Sequence, residues 1–287
     1  MSLTTKPLTD LIIEQPFYSP ENHETWRRLY KRIQPRWERY ANPHFLAGVT
    51  RLSLPPDRIP RLTDVNRFLK PRTGFEACAV GGYVPAFAFF DFLRNRIFPT
   101  TVTIRPADQL DYLPEPDIFH DVAGHVPMHT DGHFAETLVH FGQCAHTAVD
   151  VVAGIRNEEQ RLSALTNILK AMARFFWFSI EFGLMNTPEG LRVYGSGLLS
   201  SFGEIEHAIQ SSDVRRAPLR LETAIHQDFK IDRYQQLLYY VDSFDHLYGL
   251  VEKLERWMKE GKLNNVAPGE PELKVADLES FLVAAGV

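Results

Sequence analysis

The stretch Asp117-Ile118-Phe119-His120-Asp121-Val122-Ala123-Gly124-His125-Val126-Pro127 constrains this chain most, because an apolar segment must carry two histidines between prolines. It is entered through Leu113-Pro114-Glu115-Pro116. Pro114 and Pro116 hold that entry extended, and Asp117 can cap the helix beyond it. Pro127 biases Val126 away from helical geometry, so the spacing predicts a helix of roughly two turns that stops near His125. On an ideal α-helix His120 and His125 lie about 140° apart, at ~100° per residue. They converge on one point only if the helix loosens near Gly124. The zinc-peptidase pattern needs histidines at i and i+4 with a Glu between them. Here the residue after the first His is Asp121 and the spacing is wrong, which disfavours that pattern. Two capping or core histidines at a helix end stand as the plain alternative.

Such a segment needs a core to bury it. With 287 residues, 44% hydrophobic and 12% aromatic, the chain can form one large globular domain. A formal net charge of -5 leaves no basic stripe for nucleic acid. Cys78 and Cys144 are the only cysteines, which excludes a disulfide scaffold and suits a reducing compartment. Asp10, Glu14, Glu21 and Glu24 interrupt the first thirty residues, so no secretory signal or transit peptide is expected. The apolar run Phe175 to Leu184 is broken by Ser179 and Glu181 and is too short to span a bilayer. The expectation is a soluble cytoplasmic protein.

The periodicity is mainly helical. Residues 1–18 read as an irregular arm, and 19–287 as a single domain. Ser19 caps a helix with Pro20 at its first position, and Trp26, Leu29, Tyr30, Ile33, Trp37 and Tyr40 form its apolar stripe. Pro35 is expected to kink or split it. The intervening Arg27, Arg28, Lys31, Arg32 and Arg36 read as a solvated face. Prolines 55, 56, 60 and 71 imply short helices and turns. A short extended piece comes after Phe75, then a buried helix over 86–98 and a strand over 100–104 ending at Arg105.

Helices are predicted over 133–155 and about 158–184, the second with a seam of Leu162, Leu165, Leu169, Met172, Phe176 and Ser179. Glu181 falls off that seam, on the side of Lys170 and Arg174, and reads as solvent-exposed. Periodicity therefore does not choose it over Asp121 or Glu136. A turn at 186–190, a strand at 191–194, a helix over 234–259 and a short last helix complete the reading. Gly195-Ser196-Gly197 is weak as a phosphate loop.

Two neutral imidazoles and one carboxylate, with no thiolate, suit a borderline first-row metal, and on one face they leave the other open, as in non-haem Fe(II) oxygenases. Zinc accepts the same ligands for hydrolysis. Phe119, Phe175, Phe176, Trp177, Phe178 and Phe182 favour a dry aromatic pocket around an apolar substrate. A di-iron bundle needs two Glu-x-x-His pairs, and Glu204 with His207 supplies one. His129, His133 and His140 read as outer or surface histidines.

Three motifs in order then carry a resemblance. They are Pro114-Glu115-Pro116-Asp117-Ile118-Phe119-His120-Asp121 with Gly124-His125-Val126-Pro127, Ile180-Glu181-Phe182-Gly183-Leu184, and Tyr194-Gly195-Ser196-Gly197-Leu198-Leu199-Ser200-Ser201-Phe202-Gly203-Glu204. Together, from about residue 22 to residue 245, they resemble the pterin-dependent aromatic amino acid hydroxylases. The resemblance implies a mainly α, basket-like catalytic domain with a few short β-strands, holding Fe(II) through His120, His125 and Glu181. It implies that Arg105 clamps the substrate carboxylate, that Ser200 and Trp177 belong to the substrate pocket, and that Phe89 stacks on tetrahydrobiopterin with Val84 and Asp121 beside it. O2 and the pterin are then co-reactants, and neither nucleic acid nor a membrane is a partner. A monomer is expected.

Trp177 matches the phenylalanine-type pocket, so ring hydroxylation of phenylalanine leads, with tryptophan or tyrosine as the nearest alternatives and a zinc-dependent hydrolase as the alternative of another class. Three positions depart from the family pattern. Leu113 stands where animal members have a substrate-contacting Thr, Phe176 where a Tyr is often found beside the metal, and Gln236 where bacterial members usually have Pro.

Overall fold

The computed structural model describes residues 8–111 and 116–287, so Leu113 and the Pro114-Glu115 entry lie outside the described residues. Helices dominate, and each is bounded by the chemistry of its ends. Helix α1 (Pro20–Tyr40) starts on a capping box in which Ser19 and Asn22 satisfy each other's backbone N–H groups. Its six apolar positions are all buried. Pro35 neither splits it nor ends it, because the exposed Lys31 can turn its unpaired carbonyl to water. Asn42 then caps α2 (Pro43–Arg51), and α3 (Leu62–Thr73) stops at left-handed Gly74.

Two parallel strands, β1 (Glu76–Ala79) and β2 (Ile97–Thr100), flank α4 (Ala86–Arg94). The strand predicted over 100–104 thus lies three residues earlier. Beyond Thr100 the chain leaves the sheet for partners in the histidine segment: Thr101 donates its N–H to Asp121 Oδ2 at 2.6 Å, and Thr103 accepts from Ile118 N–H at 2.8 Å. Within the arm, Leu8–Asp10 forms a single turn and Ile12 pairs with Val80.

The long helices α5 (Gly132–Ala153) and α6 (Glu158–Phe176) form the back of the molecule. Leu162 faces solvent at 44% exposure, whereas the rest of its predicted seam is buried, so the seam starts one turn later. Strands β3 (Leu184–Thr187) and β4 (Gly190–Val193) form a hairpin; the short helices α7 (Ser196–Leu199) and α8 (Glu204–Gln210) come next. Strand β5 (Arg215–Pro218), α9 (Leu221–Ala224) and β6 (Leu237–Val241) complete a sheet of order β4-β3-β6-β5. The helix predicted over 234–259 is therefore a strand and then α10 (Phe244–Lys259), with Ser243 capping the helix. Leu237-Leu238-Tyr239-Tyr240-Val241 suits a strand by composition and finds β3 and β5 to pair with. Helix α11 (Val275–Ala284) closes the chain. No helix among the described residues is long and apolar enough to cross a membrane.

The core converges on the histidine segment. Trp26 of α1 meets Phe119 edge-on at 5.0 Å, and Trp37 stacks over the same ring at 6.4 Å. From the other side α2 presses its backbone against Pro127. A Cβ at Gly48 would sit 2.1 Å from the Pro127 carbonyl oxygen. Gly48→Ala should destabilise the protein by about 2–4 kcal/mol, because a backbone contact cannot give way as a side chain can. Gly249→Ala, with open space around it in α10, should be neutral or stabilise by up to about 1 kcal/mol. Thermal melts of both variants check the pair; equal effects would contradict this packing.

Candidate functional site

Two π-turns build the site. The first spans Phe119–His125, and Val126 N–H reaches back five residues to the Asp121 carbonyl at 3.2 Å. An i→i+5 ladder stacks residue i+5 over residue i much as an α-helix stacks i+4. This brings His120 and His125 to one side, their Nε2 atoms 3.1 Å apart. The loosening extends over the whole segment rather than being confined to its end. Gly124 serves a different need, since a Cβ there would lie 3.0 Å from the Ser196 carbonyl oxygen and hold α7 away. Asp117 caps the turn, accepting from His120 N–H at 3.0 Å.

The second π-turn, Trp177–Glu181, continues α6, and Phe182 N–H reaches the Trp177 carbonyl at 2.9 Å. The extra residue in that turn rotates the side chains beyond it. Glu181 therefore leaves the side predicted from α-helical spacing and faces the histidines, with Oε1 3.2 Å from His125 Nε2 and Oε2 3.6 Å from His120 Nε2. The other side of the helix is not solvent either, since Arg174 is fully buried. Gly195 permits α7 to settle on this turn, because a Cβ there would come 2.5 Å from the Glu181 carbonyl oxygen. That close approach, not phosphate binding, accounts for the Gly-x-Gly.

Hydroxyls fix the orientations. Ser200 Oγ donates its single proton to the Ser196 carbonyl at 2.9 Å and lies 2.9 Å from His120 Nδ1. It can therefore only accept from that nitrogen, which leaves His120 Nε2 with a free lone pair facing Glu181. Ser196 Oγ donates to Glu181 Oε2 at 2.8 Å and lies 2.9 Å from His125 Nε2. His129, fully buried, sets its Nδ1 2.9 Å from the His125 carbonyl. Burial drives the His120 imidazole down to about 4, against the pull of the Glu181 carboxylate. Burial alone would raise Glu181, but the charge and hydrogen bond of His125 and the other partners bring it to about 2. Burial pushes Asp121 up to about 7.

The three contacts of 3.1, 3.2 and 3.6 Å suit neighbouring ligands of one first-row ion, whose bonds of ~2.1 Å at right angles place donors about 3 Å apart. Asp121 lies close as well, its carboxylate within 4.8 Å of the two imidazole donors. Glu181 is the better-placed ligand, because its oxygens contact both Nε2 atoms, whereas Asp121 Oδ2 is spent on Thr101 N–H. Two imidazoles and a carboxylate with a free face fit a mononuclear non-haem metal centre.

Two cavities meet at this centre, sharing His120, Glu181 and Pro116. One, of about 420 Å³, is lined by Arg105, Phe176, Trp177, Phe182, Ser200 and Phe229 among others. Trp177 stacks on Phe229 at 4.2 Å. Arg105 is buried and held by Asp117, with Nε 2.8 Å and Nη2 2.9 Å from the two carboxylate oxygens. Its Nη1 donates to the Asp111 carbonyl at 2.9 Å. The other cavity, of about 630 Å³, is lined by Val84, Phe89, Asp121 and Thr101, with Tyr83 and Lys274 also on its wall. Of the aromatic residues expected around the pocket, Phe176, Trp177 and Phe182 line the first cavity, whereas Phe119, Phe175 and Phe178 do not: they are buried in the core, against Trp26, Phe141 and Tyr239 respectively. Ser196, Asp117 and Phe229 were not singled out as site residues; the first two lie inside the quoted motifs, and no sequence pattern marked Phe229.

The fold and the centre define the class, and similarity to known proteins gives the family. The sequence model described as "Biopterin-dependent aromatic amino acid hydroxylase" matches residues 12–265. The chain belongs to that family. It is 36% identical over 241 residues to a phenylalanine-4-hydroxylase of Chromobacterium violaceum, covering 83% of this chain and 76% of the relative. A Caulobacter vibrioides phenylalanine-4-hydroxylase is 39% identical over 230 residues, covering 80% and 73%. The C. violaceum enzyme solved with iron(III) and oxidised 7,8-dihydrobiopterin superposes with a TM-score of 0.78, at 33% identity over 93% of each chain.

In the metal-free protein the His120 imidazole should titrate near pH 4, so that it is neutral throughout the physiological range and charged only below that value. Histidine ring resonances followed by NMR across the pH range check this. A His120 midpoint near the ordinary value of about 6.5 would contradict the buried, hydroxyl-held imidazole.

Proposed function

We propose that the protein is a phenylalanine 4-monooxygenase, converting L-phenylalanine to L-tyrosine with O2 and a tetrahydropterin at Fe(II) held by His120, His125 and Glu181. The observation that carries this reading is the meeting of two differently lined cavities at one His-His-Glu cluster. When bound, the iron and the reduced pterin supply the oxygen-activating chemistry. The chain supplies placement. Arg105 pairs with the substrate carboxylate, and Asp117 keeps its guanidinium from swinging. Trp177, Phe176, Phe182 and Phe229 take the aromatic ring and keep water out. Ser200 serves the pocket chiefly by holding the His120 ring, although it also lines the cavity. Phe89 offers a face to the pterin ring in the second cavity, with Val84 and Asp121 beside it.

Phenylalanine is favoured over the other aromatic amino acids by the cluster of Phe176, Trp177, Phe182 and Phe229 on the walls of the first cavity, where Phe176 offers no hydroxyl for a phenol or indole. The C. violaceum and C. vibrioides relatives, all phenylalanine hydroxylases, support the same choice. The proposal includes a catalytic unit over 19–287 behind an arm at 1–18, acting as a cytoplasmic monomer. Cys78 and Cys144, both unbridged, accord with a reducing compartment.

Purified protein loaded with Fe(II) and tetrahydrobiopterin should make tyrosine from phenylalanine faster than it hydroxylates tryptophan or tyrosine. Preferred turnover of tryptophan would overturn the substrate choice, and hydrolysis without O2 or pterin would overturn the class. Arg105→Ala should raise KM for phenylalanine at least tenfold, through loss of charge-assisted bonds worth about 2–3 kcal/mol. An unchanged KM would place the carboxylate elsewhere.

A further inference from the structure

The family match ends at residue 265, yet the chain beyond it reaches both cavities. Pro271 lines the aromatic cavity, and Lys274 lines the one proposed to hold the pterin. This tail is built in. The buried Arg174, on α6, donates Nη2 to the Pro268 carbonyl at 3.0 Å and Nε to the Glu270 carbonyl at 2.6 Å, and Lys170 donates to the Gly269 carbonyl at 2.9 Å. Helix α11 then docks on the start of α4. Asp277 Oδ1 accepts from Tyr83 hydroxyl at 2.5 Å and from Ala86 N–H at 2.9 Å, and Phe281 packs edge-on against Phe87 at 5.2 Å. Tyr83, so held, carries the Lys274 ammonium 4.3 Å above its ring. Among the described residues Lys274 forms no ion pair with a carboxylate, although Asp277 lies one turn away and is engaged with Tyr83 and Ala86.

Resting on the reading that a pterin occupies this cavity, we propose that Lys274 is a specificity-determining residue that takes the side chain of the cofactor. A pterin ring must lie inward, toward Phe89 and the His-His-Glu cluster, if it is to act there, so its side chain must point toward the mouth. Lys274 is exposed, so it marks that mouth. An ammonium there is three donors and a positive charge, which match the oxygens of a hydroxylated or anionic side chain and nothing on a bare methyl. Tyr83 and Asp277 are positioning residues, since they act through Lys274.

The test compares equilibrium binding of 7,8-dihydrobiopterin with that of its 6-methyl analogue, which lacks the hydroxylated side chain, by titration calorimetry on the full chain. Lys274→Ala should weaken dihydrobiopterin about five- to tenfold and leave the 6-methyl compound within about twofold. Lys274→Arg should recover most of the loss. Equal changes for both compounds, or none for either, would overturn the proposal while leaving the pterin site intact. Failure of the wild-type protein to bind either compound would overturn the pterin reading and this inference with it.

Discussion

Three polar side chains packed within 3.1 to 3.6 Å of one another, and largely buried, are the constraint around which this chain is arranged. Two imidazole nitrogens facing each other at that distance repel unless a proton or a cation lies between them, so the arrangement must be imposed by its surroundings. Those surroundings are identifiable. Two π-turns set the directions, Ser196 and Ser200 set the tautomer and the rotamers, and Asp117 closes the entry. π-turns are rare because they loosen the helix, and they persist where the geometry they give is needed.

The same devices divide the space around the centre. His120 and Glu181 sit on the wall between the two cavities, so a group bound in either lies next to the same His-His-Glu cluster. One cavity is aromatic with a single buried guanidinium, which suits an amino acid whose ring is apolar. The other is bounded by the turn at 82–84, α4 and the segment leading from β2 into the histidine turn, and it opens to the C-terminal tail. Arg105 links site and scaffold, because Asp117 both caps the histidine turn and grips this guanidinium.

Much of this was legible in the residues. The capping of α1, its buried stripe, the apolar α5 and the mainly helical class arise from periodicity and end chemistry. The convergence of His120 and His125 was legible as a requirement, though not as a π-turn. Glu181 shows where periodicity stops being informative. Spacing by 3.6 residues placed it on the side of Lys170 and Arg174, and one extra residue in a single turn reversed that, with no local composition to announce it. Only the motif resemblance selected Glu181. The misplaced strand at 100–104 and the helix predicted across 234–241 failed for a related reason. Pairing partners came from distant segments, Asp121 for Thr101 and strands β3 and β5 for β6. Lys274 lay in a stretch with no motif, and only the packing of α11 on α4 brings it to the site.

On the proposed reading His120, His125 and Glu181, rather than Asp121, surround one metal ion. An anomalous-difference map from crystals of the iron-loaded protein, collected at the iron edge, tests it most directly. One peak is expected, bonded to both Nε2 atoms and to a Glu181 oxygen, with Asp121 still on Thr101 N–H. A peak bonded to Asp121 with Glu181 turned away, or iron bound elsewhere, would contradict it.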